Sequence, residues 1–372
     1  MPWWRLKLAV LSAAALVACP VSAQLDDQAR YKVDVSVVNV LATVRDRNGG
    51  IVSNLTKEDF VLEEDGTRQE IRYFSRQSDL PLTVGLLVDT SMSQRELIDP
   101  ERRASYQFFE QVLRPEQDVA FVIKFDVEVD LLQDLTGSRE LLEAALKQLQ
   151  TPRPELRRRL AGTPSDWQGG QRGGIRLPGG VGIPLPGGGG QRSPGGGRPG
   201  PGGRPGRGAG VGTALYDAVF LAADEVLSKQ TGRKAIILIS DGVDTGSKVS
   251  EARAIEAAQR ADTIVYSVRY YDADAYSQAR GRGMSRGGGQ GSWGDKVLQA
   301  ISTETGGRMF EVTKKLTLNQ IFDQIQEELR NQYNIGYTPP KSSGGGFRKI
   351  KLSTKDNKLM VQTREGYYPK PS

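Results

Sequence analysis

The chain has 372 residues, of which 38% are hydrophobic, so it is long enough for about two domains with buried cores. Its formal net charge is +6, but residues 151–210 hold ten Arg against two acidic residues, and the remainder is slightly acidic. The overall charge is therefore weak evidence that the folded part binds nucleic acid or a membrane. The chain has no His and one Cys, which excludes a Ser-His-Asp triad and metal sites built from several thiolates.

The first residues have the pattern of a secretory signal. Two basic residues precede an apolar run at residues 8–18, and small residues follow at 21–23. We expect a signal peptide over residues 1–23 and an exported protein of the periplasm, outer envelope or medium, without a transmembrane segment in the mature chain. Cys19 leaves an alternative open, because it ends a stretch that resembles a bacterial lipoprotein box, in which the Cys carries a lipid anchor.

Short strands are predicted after this signal. Apolar and polar residues alternate over residues 31–44 with a change of phase near Val38, which indicates a half-buried strand with a β-bulge. Apolar stretches at 60–62 and 70–74, separated by an Asp-Gly turn, predict a second strand pair. We therefore expect a small β domain over residues 28–80.

The pattern changes at residue 81, where apolar strands begin to alternate with helical stretches. This alternation predicts a doubly wound, Rossmann-like α/β sheet over residues 81–335, with a hairpin that makes one edge antiparallel. Strands are predicted at 83–89, 118–125, 129–133, 234–240, 262–269 and 307–312. Helices are predicted near 99–113, 138–149, 214–229, 250–260, 295–304 and 317–331.

Two low-complexity segments interrupt this domain, at residues 152–210 and 277–294. They contain too few apolar side chains to offset the entropy cost of ordering, so we expect disordered insertions. Their Arg-Gly runs leave open an alternative function, the binding of a polyanion such as nucleic acid or an anionic polysaccharide. A C-terminal β segment is predicted over residues 336–372, packed on the first β domain.

Five oxygen-bearing residues follow strands of the predicted sheet or open the helix between them. Asp89, Ser91 and Ser93 follow the first strand, Thr213 precedes a helix, and Asp241 follows the fourth strand. The carboxyl ends of parallel strands meet at one edge of a sheet, where open α/β folds bind ligands. Carboxylate and hydroxyl oxygens are ligands of hard cations such as Mg²⁺. The sequence therefore predicts a metal site at this edge.

These motifs resemble the von Willebrand factor A-type domain with its metal-ion-dependent adhesion site. The resemblance covers residues 81–335 and rests on an Asp-x-Ser-x-Ser motif, a Thr in a Gly-Thr-x-Leu-x-Asp-Ala context and a Ser-Asp-Gly sequence. It implies that the three hydroxyl residues bind the ion directly, while the two aspartates often act through water. The flanking stretches 56–60, 333–337 and 364–368 resemble exported proteins of this family in Acidobacteria.

The resemblance also implies a function. The expected protein is a non-enzymatic adhesion or scaffolding module of the cell envelope, whose Mg²⁺, or Mn²⁺ or Ca²⁺, takes an Asp or Glu carboxylate from a protein partner. A metal-dependent hydrolase is the weaker alternative, because no general base is evident. The sequence identifies neither the partner nor the oligomeric state.

Each predicted ligand taken singly also has a structural interpretation, as a helix cap or a turn residue. Three further residues lie close enough in sequence to orient the ligands, although a solvated helix surface or a turn is the role that we favour for them: Asp217, Asp244 and Thr245. Three acidic residues of the predicted hairpin suggest a second cation, but alternation places them on the solvent side: Asp126, Glu128 and Asp130.

Overall fold

The computed structural model describes residues 37–76, 80–91, 98–150, 213–270, 290–340 and 345–369, together with the backbone of two short strands within 151–212. The predicted signal peptide, the expected strand before residue 37 and most of both predicted insertions lie outside the described residues. In chain order the strands are β1 (Val38–Arg45), β2 (Phe60–Glu64), β3 (Thr67–Gln69), β4 (Tyr73–Arg76), β5 (Leu82–Asp89), β6 (Val119–Phe125), β7 (Val129–Thr136), β8 (Gly174–Arg176), β9 (Gly182–Pro184), β10 (Arg233–Ser240), β11 (Thr263–Arg269), β12 (Met309–Glu311), β13 (Tyr333–Tyr337), β14 (Arg348–Thr354), β15 (Met360–Thr363) and β16 (Gly366–Tyr367).

The described helices alternate with the strands of the central part of the chain. They are α1 (Ile98–Val112), α2 (Arg139–Leu146), α3 (Leu215–Leu221), α4 (Glu251–Arg260), α5 (Gln290–Thr305) and α6 (Leu318–Arg330). The helix predicted over 214–229 is regular only in α3, and wider and then tighter turns continue it from Ala222 to Lys229. Among the helices of the described residues, none has the length and apolar character that a membrane span requires.

A mixed sheet of eight strands forms the centre of the molecule, in the order β12-β11-β10-β5-β6-β7-β8-β9. Strands β12, β11, β10, β5 and β6 are parallel, and β7 runs antiparallel to β6, which confirms the predicted hairpin. Strands β8 and β9 extend the sheet from within the predicted insertion 152–210, and α5 begins inside the predicted insertion 277–294.

Helices cover both faces of this sheet, which explains why its inner strands are apolar without alternation. In β10, Ile236 and Leu238 pack with α3, α4 and α5 on one face. Ile237 and Ile239 of the same strand pack with α1, α2 and α6 on the other. The predicted α/β fold class is confirmed, with strand limits within two or three residues of those predicted.

A glycine in the middle of β5 marks a close side-chain approach. Gly85 lies opposite Phe121 of β6, and a Cβ atom at Gly85 would collide with the Phe121 ring. The ring therefore occupies the space that a side chain on β5 would take, and the two residues fit as a pair.

Two four-stranded sheets pack against each other beside the central sheet. Their orders are β15-β1-β13-β4 and β16-β14-β2-β3, and their facing side chains form one core that includes Val40, Leu62, Tyr333 and Ile350. The first strand of this unit, β1, pairs with β13 and β15 from the end of the described chain. The predicted domain boundary at residue 335 falls within β13.

The pairing predicted for residues 70–74 is wrong, because β4 overlaps this stretch but β3 is the strand that pairs with β2. Asp65 and Gly66 both have positive φ angles, 48° and 79°, so the chain reverses within two residues. Thr67 consequently pairs with Glu64, and β3 begins directly after the turn. The chain then leaves this sheet, and β4 pairs with β13 in the other one.

Candidate metal centre

Asp89 lies at the carboxyl end of β5, beside the end of β10. The two strands are parallel neighbours, with Val88 opposite Ile239. Asp89 is fully buried. Its Oδ2 accepts a 2.7 Å hydrogen bond from the Ser240 hydroxyl, and its Oδ1 accepts one of 2.9 Å from the Ser91 amide. The carboxylate of Asp89 is thus fixed by the strand next to it and by its own loop.

Asp241 follows β10 at the same edge of the sheet. Its Oδ1 accepts a 3.0 Å hydrogen bond from the Val243 amide, and the Gly242 amide donates to the Ser240 hydroxyl at 3.0 Å. Gly242 has a φ of 79°, a conformation that favours glycine. This tight turn keeps Asp241 next to the strand end, where it is buried.

Thr213 is positioned through its backbone. Its amide donates to the Thr245 hydroxyl at 3.1 Å, and its carbonyl accepts from the amides of Thr245 and Gly246 at 3.1 and 3.0 Å. Thr213 is 8% exposed. The loop after β10, which carries Asp241, therefore also holds the segment that carries Thr213.

Asp126, after β6, connects two of these segments. Its carbonyl accepts a 2.7 Å hydrogen bond from the Ala214 amide, next to Thr213. Its carboxylate lies 3.4 Å from the hydroxyl of Thr90, the residue after Asp89. The Asp126 carboxylate thus lies against a loop residue and accepts a hydrogen bond from the Glu128 amide of its own turn, which is a structural role.

Two further aspartates attach the helix after Thr213 to the loop after Asp241. Asp244 Oδ1 accepts from the Leu215 amide at 2.9 Å and thereby caps the start of α3. Asp217 Oδ1 accepts from the amides of Lys248 and Val249 at 2.9 and 3.0 Å. The solvated helix surface favoured from the sequence is wrong for Asp217, which is buried, and both carboxylates hold the Thr213 segment through main-chain amides.

Four of the five predicted ligands lie in the described residues, and Ser93 lies outside them. Among the four, Asp89 and Asp241 are close enough to interact electrostatically. Burial, and then the negative charge of Asp241, raise the pKa of Asp89 to about 7. Two buried carboxyl groups at one strand edge make the site unfavourable for negative charge unless a cation is nearby.

Glu101 is a third buried carboxyl group on this side of the sheet, and none of the sequence motifs includes it. It lies on α1, is fully buried, and neither of its carboxyl oxygens has a hydrogen-bond partner. Burial, and then the charge of Asp89, raise its pKa well above the usual value. Its position was detectable, because the buried stripe of α1 runs through Ile98, Ser105 and Phe108, and Glu101 falls on it.

The donor set fits a hard divalent cation. Within the described ranges, no group of three or more His, Cys, Asp or Glu side chains could hold a metal ion. A site at this edge must therefore combine the carboxylates of Asp89 and Asp241 with hydroxyl groups. Ser91 and Thr213 supply hydroxyls on the two segments described above, and oxygen-only donor sets suit Mg²⁺, Mn²⁺ or Ca²⁺.

No family model matches the sequence, and no curated protein matches it. Among solved structures, a von Willebrand factor type A protein from Catenulispora acidiphila aligns at 11% identity with a TM-score of 0.43, covering 85% of this chain and 75% of that one. The von Willebrand domain of the type V pili tip protein Mfa5 from Porphyromonas gingivalis aligns at 11% identity with a TM-score of 0.40, covering 67% of this chain and 94% of that one. BatB from Bacteroides thetaiotaomicron aligns at 14% identity with a TM-score of 0.36, covering 67% of this chain and 97% of that one. The resemblance to proteins of Acidobacteria stays a prediction.

Proposed function

We propose that this protein binds a divalent cation through Asp89, Ser91, Ser93, Thr213 and Asp241, and that the bound cation takes a carboxylate oxygen from a protein partner. The observation that carries the proposal is the pair of buried carboxyl groups at the adjacent ends of β5 and β10. Mg²⁺ is the cation we favour, with Mn²⁺ and Ca²⁺ as substitutes.

The hydroxyl ligands support a binding role for the cation. Ser and Thr hydroxyls are neutral, so they coordinate the ion without cancelling its charge. A cation held by three hydroxyls, with two aspartates nearby, still attracts an anionic oxygen from outside. A carboxylate on another protein supplies such an oxygen, and its binding would depend on the metal.

We also propose that the module is exported and is not an enzyme. The sequence contains no His, the side chain that most often acts as a general base near neutral pH. The proposed organisation is a signal peptide (1–23), a small β domain (28–80), a von Willebrand factor A-type domain (81–335) and a C-terminal β segment (336–372). Lipidation at Cys19 is the alternative to cleavage after residue 23.

Cation binding is tested by thermal unfolding in EDTA and in millimolar Mg²⁺, Mn²⁺ or Ca²⁺. A cation at one hundred times its dissociation constant stabilises the folded state by about 2.7 kcal/mol, so the wild type should melt at a higher temperature with the metal. Asp241→Asn should abolish this shift. The matched control is Asp134→Asn, since Asp134 is exposed on β7 and bonds only to its local backbone among the contacts described. Equal melting temperatures with and without metal in the wild type would refute the proposal.

Partner binding is tested by capture of envelope proteins on immobilised wild type and on Asp89→Ala, each with Mg²⁺ and with EDTA. The proposal requires a partner that is retained by the wild type with Mg²⁺ and released by EDTA. Release by added salt alone, with EDTA having no effect, would instead favour polyanion or charge-based binding by the Arg-rich segment.

A further inference from the structure

A cleft of about 280 Å³ lies at the opposite end of the central sheet from Asp89. One wall consists of the first residues of β10 and β11, including Lys234 and Ile264. The other wall comes from the small sheets, through Leu41 of β1, Asn334 of β13 and Arg364. Its volume is near the lower limit of ligand pockets, so it suits a small molecule.

The cleft is lined by three cationic side chains and one carboxylate. The cations are Arg233, Lys234 and Arg364, and the carboxylate is that of Asp262. All three cationic residues are at least nine-tenths buried, at 6%, 8% and 9% exposure. Burying positive charge is costly unless negative charge lies nearby. The three cations and one carboxylate of the lining sum to a net charge of two positive units.

The contacts of Arg364 show where a further acceptor is needed. Its Nη1 pairs with Asp262, and its Nη2 donates to the Asn39 carbonyl at 2.7 Å. Its Nε is buried and has no hydrogen-bond partner. An unsatisfied buried guanidinium donor costs free energy that an anionic oxygen in the cleft would recover.

Apolar side chains occupy the rest of the lining. Leu41 and Ile264 face the cleft from its two walls, and Ile264 is buried. A ligand that touches them and the cations at once needs an apolar or carbon-bearing part as well as an anionic group. An inorganic ion alone would leave this apolar surface without contact.

We propose that this cleft binds a small organic anion, whose carboxylate or phosphate group lies against Arg364 and Lys234 and whose carbon skeleton packs on Leu41 and Ile264. The site is separate from the candidate metal centre, and the proposal does not depend on cation binding.

The proposal is tested by calorimetric titration of the full chain after metal removal with EDTA and dialysis into EDTA-free buffer, so that no metal-mediated anion binding contributes. The probes are sodium succinate for the carboxylate class and glycerol 3-phosphate for the phosphate class, each compared with sodium chloride at equal ionic strength. Saturable binding of either probe, in excess of chloride, is expected, and the probe that binds identifies the class. Titrations in which neither probe differs from chloride would overturn the proposal.

Variants place the binding in the cleft. Lys234→Met keeps the length of the side chain and removes its charge, and it should weaken probe binding at least tenfold. Lys229→Met is the matched control, because Lys229 is exposed and pairs with Glu225 outside the cleft. Arg364→Met serves as a second variant if circular dichroism shows that Lys234→Met does not fold. Wild-type affinity in a folded variant of either kind contradicts the assignment.

Discussion

The hydroxyl of Ser240 donates a 2.7 Å hydrogen bond to the carboxylate of Asp89 and accepts a 3.0 Å bond from the Gly242 amide. One side chain therefore fixes both the carboxylate at the end of β5 and the turn that carries Asp241. In many metal sites, groups of this kind orient the ligands without touching the ion. Ser240 was part of the Ser-Asp-Gly motif, but its role is visible only once β5 and β10 are known to be neighbours.

Ser240→Ala should lower the affinity for Mn²⁺ by about tenfold or more, because Asp89 and the Asp241 turn lose a common hydrogen-bond partner. The affinity is measured by isothermal titration of EDTA-treated protein. Ser228→Ala is the control, since Ser228 is exposed and bonds only to the Asp224 carbonyl among the contacts described. An unchanged affinity in Ser240→Ala would show that Ser240 does not position the site.

Thr213→Val should abolish or greatly reduce cation binding while the protein stays folded, because valine has the shape of threonine without its hydroxyl. Thr245→Val provides the comparison. It removes the acceptor of the Thr213 amide and should cost about 1 kcal/mol of unfolding free energy, with a smaller loss of affinity. Mn²⁺ titration and urea unfolding of both variants separate the two roles. Equal affinities in Thr213→Val and the wild type would exclude Thr213 as a ligand.

Glu101→Gln should make the metal-free protein more stable at pH 7 and leave its stability near pH 4 unchanged. The pKa of Glu101 in the folded protein lies well above its value of about 4.3 in an unfolded chain. Between these two values the folded state binds more protons, so the stability of the wild type falls as pH rises above about 4. Glutamine resembles the protonated acid and removes this dependence.

The pH dependence of Glu101→Gln is measured by urea unfolding from pH 4 to 8 in EDTA, against the wild type and Glu110→Gln. Glu110 lies on the same helix but is exposed, so its variant should follow the wild-type curve. Parallel curves for Glu101→Gln and the wild type would contradict the burial of a protonated carboxyl group at this position.

Gly85→Ala should destabilise the protein by about 1–3 kcal/mol, because the added Cβ would overlap the Phe121 ring. Phe121→Leu alone should also destabilise, through lost packing. The double variant should be more stable than the sum of the two changes predicts, since the smaller side chain relieves the overlap. Strictly additive free energies in urea unfolding would show that the two residues do not compete for space.

The central sheet was the part of the fold that could be predicted best. Strands buried on both faces leave unbroken apolar runs, and the predicted strand 83–89 differs from β5 by one residue. The short strands of the small sheets carry no such signal. Whether residues 70–74 pair with β2 or with β13, about 260 residues later, depends on a two-residue turn and on contacts distant in sequence.

The candidate site could be predicted only as a set of residue types. The positions of Asp89, Thr213 and Asp241 followed from motifs, whereas the bonds that hold them come from main-chain amides and from the Ser240 and Thr245 hydroxyls, whose pairing no sequence pattern displays. Glu101 belongs to no motif, and a single acidic residue within the apolar stripe of a helix does not by itself indicate a buried carboxyl group. Its burial follows from how α1 packs.

The position of β1 between β13 and β15 has a consequence for how the chain folds. A strand made early has both of its edges unpaired until the last strands have been synthesised, so it has to remain accessible while the whole α/β part folds. Pairing of such high contact order is slow, and open apolar edges promote aggregation. The two four-stranded sheets should therefore fold after the central sheet. Loss of β15 should expose one edge of β1 without unfolding the central sheet.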